Sequence, residues 1–237
     1  MIKKSLIVYG VLFLIPLFSI SQELKIGLGI IPIQEKFSNS LVQIDTLSVY
    51  EGNLKSSGPV LMPYIQYSHS FGDKIKGTIS LQYYELGASI FVSTPLDGMS
   101  IESKKGTTIS SKNMEFPIGG SFNLFDKDQL KFKLMGAIVP VVCFSSSTYF
   151  NEVPEGGGWT QEIVDALNAA ETIPKKYYTN YLYGFSVDYW RLGLSFTRNH
   201  NFSSISNDYV LYGQSYRFER KVVSNRITLY YTLVRKG

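Results

Sequence analysis

Residues 177–200 read YYTNYLYGFSVDYWRLGLSFTRNH, two alternating stretches joined by the pair Trp190-Arg191. In the first, Tyr181, Tyr183, Phe185, Val187 and Tyr189 oppose Asn180, Gly184, Ser186 and Asp188; in the second, Leu192, Leu194 and Phe196 oppose Gly193, Ser195 and Thr197. A period of two over this length is that of a β-strand, and so short a connection makes a hairpin. One face carries large apolar and aromatic side chains, the other small or polar ones. A soluble sandwich has the reverse inventory, with charges outside and a compact apolar set within. These two strands are suited to lipid on their outer face.

The same pattern recurs along the chain. Glu23 to Ile31 sets Leu24, Ile26, Leu28 and Ile30 against Lys25, Gly27 and Gly29, and Gly58 to Phe71 sets Leu61, Ile65, Tyr67 and Phe71 against Tyr64, Gln66, Ser68 and Ser70. From Ile75, the residues Ile79, Leu81 and Tyr83 oppose Lys76, Thr78, Ser80 and Gln82; near Glu85 the phase changes to Leu86, Ala88 and Ile90, which predicts a β-bulge. Lys112 to Phe125, Gln129 to Ser146 and a last stretch through Ile227, Leu229, Tyr231 and Leu233 complete the set. A membrane strand takes about 9–11 residues, and lipid cannot satisfy an open sheet edge, so the sheet must close. The expected fold is all-β, a closed antiparallel up-and-down transmembrane β-barrel of eight strands. Gly72-Asp73-Lys74, Asp126-Lys127-Asp128 and Trp190-Arg191 read as tight turns, and residues 32–57, 94–111, 147–176 and about 201–211 as long loops. Short inner turns and long outer loops place both mature ends in the periplasm.

Lys3 and Lys4 precede an apolar core from Leu6 to Phe18, and Ser19-Ile20-Ser21 has the small residues of a cleavage site. Residues 1–21 are expected to be a signal peptide, removed on export, and 22–237 the barrel. The net charge of +4 falls to about +2 without the leader and shows no basic run, which argues against nucleic acid as a partner. With 17 Tyr and 15 Phe, the chain has the supply for aromatic girdles at both lipid–water boundaries. A single cysteine, Cys143, excludes an internal disulfide.

In the leader ending at Ser21-Gln22, the eight alternating strands and the turn pattern, the chain resembles small bacterial outer-membrane barrels of the OmpA/OmpX type, and in particular outer-membrane barrel proteins of Bacteroidota. The resemblance spans residues 23–236 and lies in pattern, not in a motif. Such barrels often end on an aromatic residue, whereas this chain ends Val234-Arg235-Lys236-Gly237, leaving Tyr231 and Leu233 as the candidates for reading by the assembly machinery. The resemblance implies a monomeric barrel in the bacterial outer membrane, surrounded by lipid.

Eight strands enclose a bore that side chains fill, so inward charges must be paired. Glu115 and Arg226 fall at similar heights on strands facing each other across the bore, and they are expected to form one lumen network with Lys133, Tyr64 and Tyr230. In the third outer loop, Trp159 to Glu171 reads as a short helix with Trp159, Ile163, Leu167 and Ala170 on one face, either a lid on the barrel mouth or a docking element for a protein partner. Strands that outrun the membrane, as at Arg217-Phe218-Glu219-Arg220-Lys221, offer raised edges for strand addition or a stiff rim. No metal site is read from two distant His and one Cys, no cofactor is implied, and Gly156-Gly157-Gly158 is a hinge without the residues of a phosphate loop. Small barrels that deacylate lipid A use a His-x-Ser pair with a carboxylate; here His200-Asn201-Phe202-Ser203 misses that spacing by one residue, with Glu219 on the next strand as the acid that would orient His200 as a base. The expected function is therefore non-enzymatic, a structural or interaction role through the outer loops. A small transporter or binding barrel for a hydrophobic ligand or lipid is the alternative, and a lipid A-modifying enzyme the third reading.

Overall fold

The computed structural model describes residues 22–39, 41–45, 47–51, 59–95, 102–147 and 159–235. The leader at 1–21 and the glycine run at 156–158 lie outside them. The strands are β1 (Gln22–Asn39), β2 (Leu41–Ile44), β3 (Leu47–Glu51), β4 (Val60–Ser70), β5 (Ile75–Pro95), β6 (Glu102–Glu115), β7 (Ile118–Lys127), β8 (Leu130–Ser147), β9 (Tyr177–Tyr189), β10 (Leu192–Asn201), β11 (Tyr209–Leu211), β12 (Gln214–Tyr216) and β13 (Glu219–Arg235). Among the described residues, one helix, α1 (Gln161–Ala169), continues into a 3₁₀ turn.

The barrel is a ring of eight antiparallel strands in which β6 and β7 act as one. Pro117 supplies no N–H and interrupts the regular ladder. Around it, Phe116 N–H donates to the Pro140 carbonyl at 2.9 Å and the Pro117 carbonyl accepts from Ser80 N–H at 2.9 Å. Every member pairs with two neighbours, and the ring closes where β1 meets β13, from Glu23 opposite Arg235 to Asn39 opposite Glu219. Tight turns at 71–74, Asp128-Gln129 and Trp190-Arg191 share one rim with both described chain ends. Asp128 and Trp190 adopt the left-handed conformation that so short a hairpin needs.

Over the half of the ring nearest those turns, the outward face is apolar: Leu28, Ile65, Ile79, Ile118, Leu134, Phe185 and Leu229 are all exposed. Phe71, Tyr189 and Trp190 ring its lower edge. The inward face there holds buried Lys25, Gln66, Ser80, Asn123, Ser186, Ser195 and Thr228.

Higher up, the two faces exchange character. On β5 the even positions point inward throughout, but they change from Lys76, Ser80 and Gln82 to Tyr84, Leu86, Ala88, Ile90 and Val92. The expected bulge at Glu85 is absent, because β5 pairs with β6 residue for residue from Gln82–Glu115 to Pro95–Glu102. The side chains change there, not the backbone: above that level the inner face packs an apolar core. The same inversion explains why much of 32–57 and 94–111, expected as loop, is strand. Ile109 on β6 is buried inward, and the β2–β3 hairpin adds to β5 with Val49 opposite Val92.

An arginine on the apolar wall distinguishes the two zones. Leu229→Arg is expected to cost about 2–4 kcal/mol of folding free energy in lipid vesicles, measured by urea titration, and Ser89→Arg, above the inversion, less than about 0.5 kcal/mol.

Candidate functional site

The candidate site is the bore and the structure that roofs it. Among the described residues, inward side chains form three buried ionic levels, each set by strand register.

Nearest the turns, Lys133 on β8 lies 2.5 Å from Asp188 on β9, and Lys25 on β1 reaches the same carboxylate at 3.5 Å and Glu23 at 3.6 Å. Lys76 on β5 donates to Glu23 at 2.7 Å. Tyr230 OH donates to the other oxygen of Asp188, and Lys25 Nζ sits 4.5 Å over its ring. Tyr64 packs beside Tyr230 with ring centroids 6.2 Å apart. Gly193 makes this possible, since a Cβ there would collide with the Tyr230 ring.

In the middle, Arg226 on β13 grips Glu115 on β6 across the bore with two parallel bonds, Nη1 to Oε2 at 2.5 Å and Nη2 to Oε1 at 3.0 Å. This fork geometry is the strong form of a charge-assisted bond. Tyr84 OH donates to Glu115 at 2.7 Å, Asn180 Nδ2 does so at 3.5 Å, and Arg226 Nη1 also reaches Gln82 at 3.1 Å. At the top, Arg220 on β13 meets Glu51 on β3 at 3.0 Å, with both side chains buried.

The residues expected as one network thus fall into two. Glu115 and Arg226 form the middle pair, while Lys133, Tyr64 and Tyr230 join Asp188 below. Asp188, Glu23, Lys25 and Lys76 were not singled out from sequence. Glu23 and Lys25 sit two apart on the inward face, the signal that would have pointed to them. Small cavities separate the levels, about 30 Å³ between the lower two and about 20 and 10 Å³ above the middle pair. Such spaces hold a water or two.

Above the levels lies an apolar core. Ile163, Leu167 and Ala170 of the expected helix face are buried, with Ala166, against Val42, Val49, Ile90, Val92, Ile109, Tyr209 and Phe218. Trp159 precedes α1 and packs at the edge of this core, with Lys105 Nζ 5.1 Å over its ring. Thr160 caps α1 by accepting from Ile163 N–H, and Tyr209 OH donates to the Ala166 carbonyl at 2.6 Å. The hairpin β11–β12 turns at Tyr212-Gly213, both at positive φ, and Tyr212 OH reaches Asp165 at 3.0 Å. The helix's apolar face is covered by the chain's own strands, and its polar face, with Gln161, Glu162 and Glu171, is exposed.

His200 lies on the outer wall, stacked on Tyr181 at 5.0 Å and within 3.3 Å of Tyr183 OH. Glu219 is engaged by Lys221 at 2.9 Å and Arg217 at 3.5 Å, and these two cations hold its carboxyl below the usual range, the Lys221 hydrogen bond contributing most. Among the described residues, no group of three or more His, Cys, Asp and Glu could hold a metal.

No protein-family model matches the chain, and no curated protein sequence does. Among solved structures, the outer membrane protein OprG from Pseudomonas aeruginosa is similar at 8% identity, with 90% of this chain and 96% of that one covered and a TM-score of 0.49. Ail, the attachment invasion locus protein of Yersinia pestis, is similar at 10% identity, covering 91% and 100%, with a TM-score of 0.36. These likenesses are of fold. The chain is a small eight-stranded antiparallel barrel, with a closed ring of pairing and an apolar outer wall.

Breaking the middle pair leaves a buried charge alone. Arg226→Met and Glu115→Leu are each expected to lower stability by about 3–5 kcal/mol in urea unfolding. The double variant should lose less than either single one; equal or additive losses would mean that the pair is not desolvated.

In the roof, Tyr209→Phe removes one buried hydrogen bond and should cost about 1 kcal/mol of cap stability, read as faster protease nicking of residues 159–218. Burial raises the Tyr209 phenol above its ordinary value. The neutral phenol therefore stabilises the cap at and below its unfolded value of about 10, and that contribution is lost as pH rises through the raised folded value. Nicking of the native cap should accelerate there, and the acceleration should be weaker in Tyr209→Phe.

Proposed function

We propose that this chain is exported by a cleaved leader at 1–21 and resides in the bacterial outer membrane as a monomeric, non-enzymatic barrel. Its bore is a fixed plug, and its roofed outer end is a rigid platform for a protein partner. The observation that carries this reading is the stack of three buried ionic levels beneath an apolar roof. A diffusion pore needs a continuous wet path, and a transporter for a hydrophobic ligand needs an apolar one. The bore has instead the Glu115–Arg226 fork spanning it and cavities of about 30 Å³ or less at its ionic levels.

The outer wall supports the membrane assignment, since an apolar band bounded by aromatic residues matches a lipid-spanning surface. The surroundings of His200, two tyrosine rings and a hydroxyl, favour a boundary role over general-base chemistry. The cap's exposed polar helix face and the tip at Tyr212 are what it offers to a partner.

In planar lipid bilayers the purified chain is expected to give no sustained unitary conductance; a steady channel at neutral pH would overturn the plugged bore. In native membranes, a photo-crosslinker at Asn168 or Tyr212 is expected to give a discrete protein adduct that one at Leu229 does not. Lipid adducts alone at all three positions would remove the platform.

A further inference from the structure

The upper ionic level is incompletely paired. Arg220 on β13 gives its Nε to Glu51 at 3.0 Å, and its side chain is only 7% exposed. Its Nη2 is buried with no hydrogen-bond partner among the described residues. A buried guanidinium N–H that has shed its water and found no acceptor is costly. The position therefore calls for an occupant that accepts.

Beside Arg220, above the middle pair, lies a cavity of about 10 Å³ lined also by Lys175, Ser111, Asn113 and Tyr178. One short segment brings the two cations to it. Lys175 N–H donates to the Ile205 carbonyl at 3.0 Å, and Ile205 N–H donates to the Arg220 carbonyl at 2.9 Å. Lys175 Nζ donates to the Ser204 carbonyl at 3.1 Å, and Arg220 N–H donates to Ser204 Oγ at 3.0 Å. An ammonium has three donors, so Lys175 keeps N–H groups to spare. Asn113 and Tyr178 are engaged nearby: Tyr178 OH donates to Asn113 Oδ1 at 3.3 Å, and Asn113 Nδ2 to the Ser111 carbonyl at 3.0 Å. The Ser111 hydroxyl, which can rotate, is a third donor in the lining.

We infer that this cavity is a chloride site, formed by Arg220 Nη2, Lys175 Nζ and the Ser111 hydroxyl. Glu51 answers the charge of Arg220 from its Nε side, and Lys175 brings a second cation to the same cavity. A water would accept from Nη2 but leave the two cations repelling each other where solvent screens little. A carboxylate, phosphate or sulfate is too large, since about 10–15 Å³ of such space admits a single water-sized occupant. Chloride is little larger than water, carries the missing negative charge and accepts from several donors at once. Bound there, it ties β6, the segment ahead of β9 and β13 together at the base of the roof. The site goes beyond the plugged-bore reading and holds whatever solvent surrounds the barrel.

The test uses the full mature chain in detergent, with its folded state read from heat-dependent gel mobility. Urea titrations are run at constant ionic strength while sodium gluconate is replaced stepwise by sodium chloride. The folding equilibrium constant is expected to rise and saturate, by about tenfold when chloride is about ten times its dissociation constant. Lys175→Met, which leaves the Arg220–Glu51 pair in place, and Arg220→Gln should each abolish the chloride response, whatever they do to stability itself. In crystals grown in sodium bromide, an anomalous-scattering peak is expected beside Arg220 Nη2. A folding equilibrium indifferent to chloride, or a response that Lys175→Met keeps in full, would overturn the inference. So would a water at that place with no anomalous signal.

Discussion

The ladder between β1 and β13 is the constraint on which the rest of the molecule depends. In hydrocarbon each unpaired backbone N–H or carbonyl costs several kcal/mol, so a spanning sheet has to close on itself. Closing after eight strands fixes a bore too narrow for a water column and wide enough only for side chains. Each inward position must then be small, hydrogen-bonded or charged with a partner. Gly193 is the small solution, giving space to the Tyr230 ring; Gln66 donating to Ser68 at 2.8 Å is the hydrogen-bonded one; and Arg226 with Glu115 is the paired one.

On the proposed membrane placement, the second consequence follows where the strands leave the lipid. There the outer face gains water and can be polar, and the inner face has no reason to remain so. Along β5 the inward residues become Tyr84, Leu86, Ile90 and Val92, an apolar surface that a polar bore cannot cover. Something must pack on it. The β2–β3 hairpin, α1 and the β11–β12 hairpin do so, through Val49, Leu167 and Tyr209. The roof is thus a requirement of long strands as much as an ornament of function, and its polar exterior is what remains for recognition.

The strands were legible in the sequence wherever lipid and bore impose opposite chemistries on alternate residues, as in 177–200. The reading failed where the two solvents exchange places. Glu85 looked like a geometric fault because apolar residues jumped from odd to even positions, although the backbone continued unchanged. Residues 102–111, rich in Ser, Thr and Lys, looked like loop because their apolar signal is thin and inward. The helix face of Ile163, Leu167 and Ala170 was readable from its 3.6-residue period, but what covers it depends on contacts with β2, β3 and β5 far away in sequence. Of the ionic levels, the Glu115–Arg226 match across the bore could be reasoned from strand heights. Asp188 could not, because its three partners come from β1, β8 and β13.

Buried ion pairs are weak sources of stability, since desolvation offsets most of their attraction. Their arrangement here bears on register instead. Each level joins strands that are not sequence neighbours: β1 to β5 through Glu23 and Lys76, β6 to β13 through Glu115 and Arg226, β3 to β13 through Glu51 and Arg220. A one-residue slip of any of these strands would turn its charge outward, toward lipid in the lower zone, and strand its partner in the bore. A bore filled with leucines would impose no such penalty. Access to water also varies with depth. Among the described residues, the middle and upper pairs each set one cation against one carboxylate, while the lowest level gathers Lys25, Lys76 and Lys133 with Glu23 and Asp188. That level lies next to the turns, where Lys76 keeps 11% of its side chain exposed to water. A charge without its partner costs most where water is furthest away, which is where the fully buried fork of Glu115 and Arg226 stands.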